Sequence, residues 1–244
     1  MELTIGYLYP VEMNLYGDRG NILCLIQRCR WRGIDARILP IGIGEAWPAG
    51  LDLLFFGGGP DAQQKGVVGD LLEVKGDSLH RDLAEGLVAL AICGGFQLLC
   101  RYYRPAEGPD LPGLGFFDAW TVHPGAKVPR CIGNVVVEWE GTTLVGFENH
   151  GGRTHHGPGC RPLGRVLRGH GNNGADKGEG AVQANVHASY LHGPLLPKNP
   201  RLADHLLRLA LERRYGPVEL PPLDDALESA AHQAALRRAG VRWG

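Results

Sequence analysis

Residues 87–99 read LVALAICGGFQLL. The first six, Leu87–Ile92, have the apolar pattern of a buried strand, and they run directly into Cys93, two glycines and an apolar helix start. This strand, turn and helix pattern is typical of a nucleophile elbow, in which a sharp turn holds one side chain out of the sheet. Helix N-terminal amides beside a thiol at that position favour the thiolate and can receive an oxyanion. A buried structural cysteine is the alternative interpretation.

Two further segments suit the same chemistry. Gly57–Pro60 (GGGP) follows the apolar run Leu51–Phe56, so a second strand ends in a loop whose N–H groups could bind an oxyanion. His192 follows a short strand-like segment, Ala181–Tyr190, and could be the base for the thiol. His187 competes for that role, but on an extended segment it would face the opposite side, and only His192 lies within YLHGP.

The elbow CGGFQ and the segment YLHGP together resemble class I glutamine amidotransferases of the cobyric-acid-synthase-like branch. The segments LYGDRGNI (15–22), FENHGGRT (147–154) and GNN (171–173) narrow the resemblance to the GatD subunits of lipid II isoglutaminyl synthases. The resemblance covers about residues 3–216. It implies an α/β, three-layer class I glutamine amidotransferase (flavodoxin-like) fold, with a mainly parallel central sheet and antiparallel additions.

The resemblance also implies roles for individual residues. Cys93 would be the nucleophile and His192 the base in the hydrolysis of L-glutamine. Arg130 matches the family's arginine that holds the α-carboxylate of glutamine, a bidentate task that suits a planar guanidinium; a solvated surface arginine is the alternative. The other residues expected around the substrate are Gly58, Gly59, Gly94 and Gln97.

The third member of a catalytic triad stays open. Many class I amidotransferases have a glutamate two residues after the histidine, but Pro194 stands at that position here. Another acid, a backbone carbonyl or packing alone must then orient the imidazole. Glu148 is a candidate because it lies in a family-like segment, and an ordinary structural carboxylate is the alternative, so it is not included in the catalytic set.

A partner protein is part of what the resemblance implies. In that family the GatD subunit passes ammonia to MurT, an ATP-dependent Mur-ligase-like protein that amidates the D-glutamate of the peptidoglycan stem on lipid II. The sequence has no GK[ST] of a P-loop, and its GxGxxG match at 169–174 is followed by turn formers instead of a helix. We therefore expect a heterodimer with a MurT-like subunit, contact with lipid II through that subunit, and no cofactor on this chain. The alternatives are the glutaminase of another, cobyrinate-type synthetase and a non-catalytic ligase-binding subunit.

Composition excludes several other classes of protein. The chain has 244 residues, 44% of them hydrophobic, and a net charge of -1 from interspersed charges, which gives no electrostatic footprint for nucleic acid. It has no 18-residue apolar run, and its first residues enter a strand directly, so we expect a cytoplasmic protein without a transmembrane segment. The six cysteines form no CxxC pair and should be reduced.

Four residues of types that bind metals lie close together in the sequence. His150, His155, His156 and Cys160 form a cluster of soft ligands in a glycine-rich loop. Adjacent histidines at 155 and 156 would point in different directions, so no metal is expected.

The order of patterns along the chain predicts its architecture. Strand and helix patterns alternate over the first hundred residues, which predicts a parallel sheet. Short strand patterns after Leu114 predict antiparallel additions to the sheet and its edge. We predict an amidotransferase domain over residues 1–216 and a C-terminal proline-rich linker and helix over 217–244. The alanine-rich face of that helix should pack on the chain's own domain, and contact with a partner is the alternative. The predicted strands are 3–9, 36–39, 51–56, 87–92, 115–122, 133–139, 143–146, 165–168 and 181–186, and the predicted helices are 22–33, 67–74, 78–86, 202–215 and 224–239. Asp18 or Asn21 could cap the first of these helices.

Overall fold

The computed structural model of the protein describes residues 1–243. The strands are β1 (Glu2–Leu8), β2 (Asp35–Ile41), β3 (Leu53–Phe56), β4 (Val88–Ile92), β5 (Tyr102–Arg104), β6 (Leu111–Pro112), β7 (Ala119–Val122), β8 (Cys131–Trp139), β9 (Thr142–His150), β10 (Arg153–His156), β11 (Gly164–Arg168), β12 (Gly178–Glu179), β13 (Ala181–Gln183) and β14 (Val186–Ser189). The helices are α1 (Arg19–Trp31), α2 (Asp61–Asp70), α3 (Gly76–Ala84), α4 (Gly94–Leu99), α5 (Pro200–Tyr215) and α6 (Ala226–Arg238). A π-helical turn, Leu71–Lys75, joins α2 to α3, and short 3₁₀ turns occupy Leu15–Gly17 and Leu196–Lys198.

The central sheet has six strands in the order β13-β14-β4-β3-β1-β2. All neighbours are parallel except β13, which pairs antiparallel with β14 at one edge. Every residue of β3, β4 and β14 is buried. This burial explains the continuous apolar composition of β3 and β4, because a parallel sheet is covered on both faces.

The remaining strands form two antiparallel-rich sheets, ordered β10-β7-β5-β6 and β12-β11-β8-β9. The predicted α/β architecture, with a parallel centre and antiparallel additions, is thus confirmed. The expectation that these strands extend the central sheet at its edge is wrong for all but β13. The physical reason is clearest for β8 and β9, which pair over nine residues of each and so satisfy each other's backbone groups.

Two predicted elements differ in a way that matters for function. The helices predicted at 67–74 and 78–86 are one helical run from Asp61, because the π-helical turn bridges the gap between them. The strand-like segment predicted over 181–190 is a hairpin, since Ala184 takes a positive φ of 50° between β13 and β14. The turn lets β14 run parallel to β4, so the residues after both strands meet at the same edge of the sheet.

The C-terminal segment packs on the rest of the chain. Helix α6 contributes Leu236 to a small apolar cluster with Val136 and Val145 of β8 and β9. The buried Arg28 guanidinium binds both Asp204 on α5 and Asp225 just before α6. The domain boundary at residue 216 stays a prediction, and Gly244 lies outside the described residues. No helix within residues 1–243 has the length and apolarity needed to cross a membrane.

Candidate active site

The turn after β4 forces Cys93 into an unusual backbone conformation. Its φ is 50° and its ψ is -103°, a strained combination for a residue with a side chain. A Cβ on Gly94 would lie 2.7 Å from the Gly59 carbonyl oxygen, and one on Gly95 would lie 2.6 Å from that of Phe56. Only glycine fits at these two positions, because the elbow lies very close to the loop after β3. This close approach explains the sequence CGG.

The hairpin that ends in β14 brings His192 to the elbow. Ser189 pairs with Ile92, and its carbonyl oxygen accepts a 2.8 Å hydrogen bond from the Cys93 amide. His192 then exchanges backbone hydrogen bonds of 2.8 and 3.1 Å with Phe147 of β9. A Cβ added to Gly58 would lie 3.0 Å from His192 Cε1 and 3.3 Å from Cys93 Cβ, so both side chains converge over Gly58.

Asp18 is the acid next to His192. Its Oδ1 lies 3.3 Å from His192 Nδ1, and its Oδ2 accepts a 2.7 Å hydrogen bond from the Gly58 amide. The expectation that Asp18 or Asn21 caps α1 is not met: the Asp18 side chain makes no cap bond, and Asn21 Oδ1 accepts from the Leu196 amide instead. Asp18 is fully buried, so its carboxylate faces the imidazole without water around it.

The surroundings of His192 favour its protonated form. Burial alone would lower the pKa of His192, but the negative charges of Cys93 and Asp18 raise it to about 10. Nε2 is buried and makes no hydrogen bond among residues 1–243, and the charge of Cys93 makes the largest contribution that raises the pKa of His192. The arrangement therefore suits a thiolate–imidazolium pair with an aspartate behind the ring.

Glu148, the acid that the sequence offered as a candidate, lies elsewhere. Its carboxylate accepts backbone hydrogen bonds of 2.6 Å from His170 and 2.9 Å from Gly171. It therefore holds the 169–174 loop in place, which agrees with the interpretation of the GxGxxG match as a loop. The competing histidine, His187, packs against the ring of His205, and its burial lowers its pKa to about 4.

A cavity of about 430 Å³ opens beside Cys93. Arg130 lines it, with Nε donating to Asn149 Oδ1 at 3.0 Å and one NH2 group to the Asn149 carbonyl at 3.1 Å. Gln97 also lines it, held by Gln64, which donates to Gln97 Oε1 at 2.9 Å. The structure thus places Cys93, Arg130, Gly59 and Gln97 around one cavity of the size of a small-molecule site.

The backbone of the loop after β3 is oriented by its neighbours. The Gly58 carbonyl accepts a 3.0 Å hydrogen bond from the Leu15 amide, so the other end of that trans peptide, the Gly59 N–H, points away from Leu15. The Gly59 nitrogen would lie 2.9 Å from a Cβ on Gly94, which puts it beside the elbow. The Gly58 N–H is already bound to Asp18. Of these two amides, the Gly59 N–H is therefore the one that is not already bound within the loop.

The histidine-rich loop holds no metal cluster. Within residues 1–243, no group of three or more His, Cys, Asp or Glu side chains could hold an ion. His150 Nδ1 instead lies 2.8 Å from the Gly152 carbonyl oxygen, and its ring stacks on Tyr190 at 3.8 Å between centroids. His155 stacks on Trp120.

Sequence reasoning missed two acids at this site, Asp18 and Asp61. Asp18 stands inside the segment LYGDRGNI that carries part of the resemblance, but helix-capping propensity suggested another role for it. Asp61 directly follows GGGP and lines the cavity. The sequence signal for both acids was their position within motif segments. The directions of their side chains depend on loops, and loops have no periodic sequence pattern.

Comparisons with known proteins identify relatives of similar length. The GatD subunit of lipid II isoglutaminyl synthase (glutamine-hydrolyzing) from Staphylococcus aureus (strain N315) is 40% identical over 240 residues, covering 98% of this chain and 96% of that protein. The same subunit from Streptococcus pneumoniae (strain ATCC BAA-255 / R6) is 39% identical, covering 93% and 87%. The cobyric acid synthase of Pelotomaculum thermopropionicum is 37% identical over 151 residues, covering 56% of this chain and 28% of that protein.

Solved structures share the fold. A crystal structure of a glutamine amidotransferase superposes with a TM-score of 0.58 at 21% identity, covering 84% of this chain and 98% of that one. A glutamine amidotransferase from Thermotoga maritima gives a TM-score of 0.51 at 16% identity, covering 98% and 92%. These confirm the predicted class I amidotransferase fold. The family model of the CobB/CobQ-like glutamine amidotransferase domain matches residues 4–200, and the chain belongs to that family of glutamine amidotransferases.

Proposed function

We propose that this protein is the glutaminase subunit of a lipid II isoglutaminyl synthase and that Cys93 is its nucleophile. The observation that carries the proposal is the convergence of Cys93, His192 and Asp18, with Cys93 lining a cavity that Arg130 also lines. The near-complete length match to two GatD subunits supports the choice of synthase.

The first half of the reaction is the attack of the Cys93 thiolate on the side-chain amide carbon of L-glutamine. The oxyanion of the tetrahedral intermediate accepts hydrogen bonds from the Gly59 and Gly94 amides. The His192 imidazolium gives its proton to the leaving nitrogen, the C–N bond breaks, and ammonia leaves a γ-glutamyl thioester on Cys93.

The second half releases glutamate. His192 is now neutral and takes a proton from water, which attacks the thioester carbonyl carbon. The C–S bond breaks, glutamate leaves, and the thiolate–imidazolium pair is restored. Asp18 keeps the imidazole in one orientation and stabilises its positive charge throughout.

The acceptor chemistry belongs to a partner subunit in this proposal. The ammonia passes to a MurT-like Mur ligase in a heterodimer, which uses ATP to amidate the D-glutamate of the peptidoglycan stem on lipid II in the cytoplasm. The lengths of the relatives support a separate subunit: GatD proteins match almost from end to end, while the cobyric acid synthase carries most of its length outside the match.

The test is an amidation assay on the complex of this chain with the MurT-like subunit, ATP and lipid II. We expect amidated lipid II with either glutamine or ammonium chloride as nitrogen source. Cys93→Ala should abolish the glutamine-dependent reaction and keep the ammonium-dependent one, while Cys160→Ala, at a half-buried cysteine outside the cavity, should keep both. Glutamine-dependent amidation by Cys93→Ala would contradict the nucleophile, and glutamine hydrolysis without amidation of lipid II would contradict the acceptor.

A further inference from the structure

Two opposite charges in the cavity beside Cys93 have no ionic partner. Arg130 binds the side chain and carbonyl of Asn149, both neutral. The Asp61 carboxylate accepts one 3.1 Å hydrogen bond from the Tyr103 hydroxyl through Oδ1. Neither takes part in an ion pair within residues 1–243. Asp61 is half-buried and Arg130 is exposed, and neither faces an opposite charge in the described part of the chain, so each is free for a ligand.

Asp61 is also the only carboxylate among the described residues that line this cavity. Tyr103 links the two charged groups and the nucleophile: burial raises the pKa of its hydroxyl, the charges of Asp61 and Cys93 raise it further, and Arg130 lowers it. The Tyr103 hydroxyl therefore lies within electrostatic range of all three groups.

We propose that Asp61 binds the α-ammonium group of the substrate and so makes the site specific for a free α-amino acid. The proposal rests on the proposed glutaminase function and deepens it. A zwitterion has one positive and one negative group on the same carbon, and the cavity offers one unpaired charge of each sign for them. With the α-carboxylate on Arg130 and the α-ammonium on Asp61, the side-chain amide extends toward Cys93.

A simpler role for Asp61 is the stabilisation of a helix, because it is the first residue of α2 and a carboxylate there interacts favourably with the helix dipole. That role predicts an effect on stability and none on substrate choice. The two roles can therefore be separated by a measurement of specificity.

The experiment compares L-glutamine with glutaramate, the same molecule without its α-amino group, as substrates for hydrolysis by the purified complex. Steady-state kcat and KM are measured for the wild type, Asp61→Asn and Tyr103→Phe. The matched control is Asp110→Asn, at an exposed carboxylate that pairs with Arg104 away from the cavity. Thermal melting of each variant reports on folding.

We expect the wild type to have a much lower KM for glutamine than for glutaramate. Asp61→Asn should raise the KM for glutamine by about 10- to 100-fold, the range for a lost charge-assisted hydrogen bond, and should leave the KM for glutaramate within about twofold. Tyr103→Phe, which removes the hydroxyl that orients Asp61, should shift the preference in the same direction by less. Asp110→Asn should match the wild type.

Three results would overturn the proposal. In the first, folded Asp61→Asn keeps the wild-type preference for glutamine over glutaramate. In the second, the KM values for both substrates rise equally, which indicates a structural role. Either result leaves glutaminase activity in the wild type and so leaves the proposed function standing. In the third, the wild-type complex hydrolyses no glutamine, which contradicts the proposed function and the ammonium site together.

Discussion

Replacing Asp18 with asparagine tests how the imidazole is held. The substitution keeps the size of the side chain and one carbonyl oxygen, so the 2.7 Å bond from the Gly58 amide can persist. It removes the negative charge 3.3 Å from His192 Nδ1. The change therefore isolates the charge of Asp18 from its packing.

Two considerations set the expected loss of kcat in Asp18→Asn. Unit charges 3.3 Å apart interact by about 5 kcal/mol at an effective dielectric constant near 20, which is an upper limit for the loss. The pKa of His192 is raised from 6.5 to about 10, which corresponds to roughly 5 kcal/mol, and Asp18 supplies only part of this because Cys93 contributes as well. We expect Asp18→Asn to lower kcat by about 10²-fold, since the proton donated to the leaving nitrogen is then less available.

The assay is steady-state glutamine hydrolysis, combined with the rate at which iodoacetamide alkylates Cys93 at pH 7, measured on the peptide that contains it. We expect slower alkylation because the imidazolium that stabilises the thiolate is less favoured. Asp52→Asn is the matched control: this buried carboxylate accepts a 2.7 Å bond from the Thr4 amide far from the site, and its variant should keep kcat within about twofold. A folded Asp18→Asn variant with wild-type kcat and alkylation rate would refute the role given to Asp18.

Three further predictions concern other parts of the molecule. Burial raises the pKa of Glu179 from 4.5 to about 7, so the folded state binds a proton that the unfolded state lacks between these pH values, and stability falls as pH rises through this window. Between pH 5 and pH 8, urea unfolding should show that the free energy of unfolding falls by about 3 kcal/mol more in the wild type than in Glu179→Gln. Equal pH dependence in both proteins would contradict this prediction. Gly58→Ala puts a Cβ 3.0 Å from His192 Cε1 and should lower kcat by about 10²-fold in a folded protein; hydrolysis at the wild-type rate would show that the contact is harmless. Asp225→Ala removes one of the two carboxylates on Arg28 and should cost about 1–3 kcal/mol in urea unfolding without a change in kcat, whereas unchanged stability would show that this contact does not hold the C-terminal segment.

The parallel sheet could be predicted from sequence because its strands are buried on both faces. Leu87–Ile92 is a continuous apolar run and Leu51–Phe56 is apolar apart from Asp52, and each is followed closely by glycines that only a close approach of backbone explains. The hairpin before His192 could not be predicted, since it depends on a non-glycine residue, Ala184, in a left-handed conformation. The same turn decides which histidine meets the thiol.

The acids of the site were harder to predict for a different reason. Asp18 has the sequence position of a helix cap, and capping is a local preference that a long-range contact can override. Here the partner, His192, is 174 residues away, so nothing local shows where the carboxylate points. Glu148 shows the opposite case: its family-like segment suggested the site, and its carboxylate binds a loop.

The most direct test of the account is to trap the intermediate. The complex is mixed with isotopically labelled L-glutamine, quenched in acid during turnover, digested and analysed by mass spectrometry. We expect a γ-glutamyl group on the peptide that contains Cys93, absent from Cys93→Ala. Label on another cysteine, or steady turnover by Cys93→Ala, would contradict it.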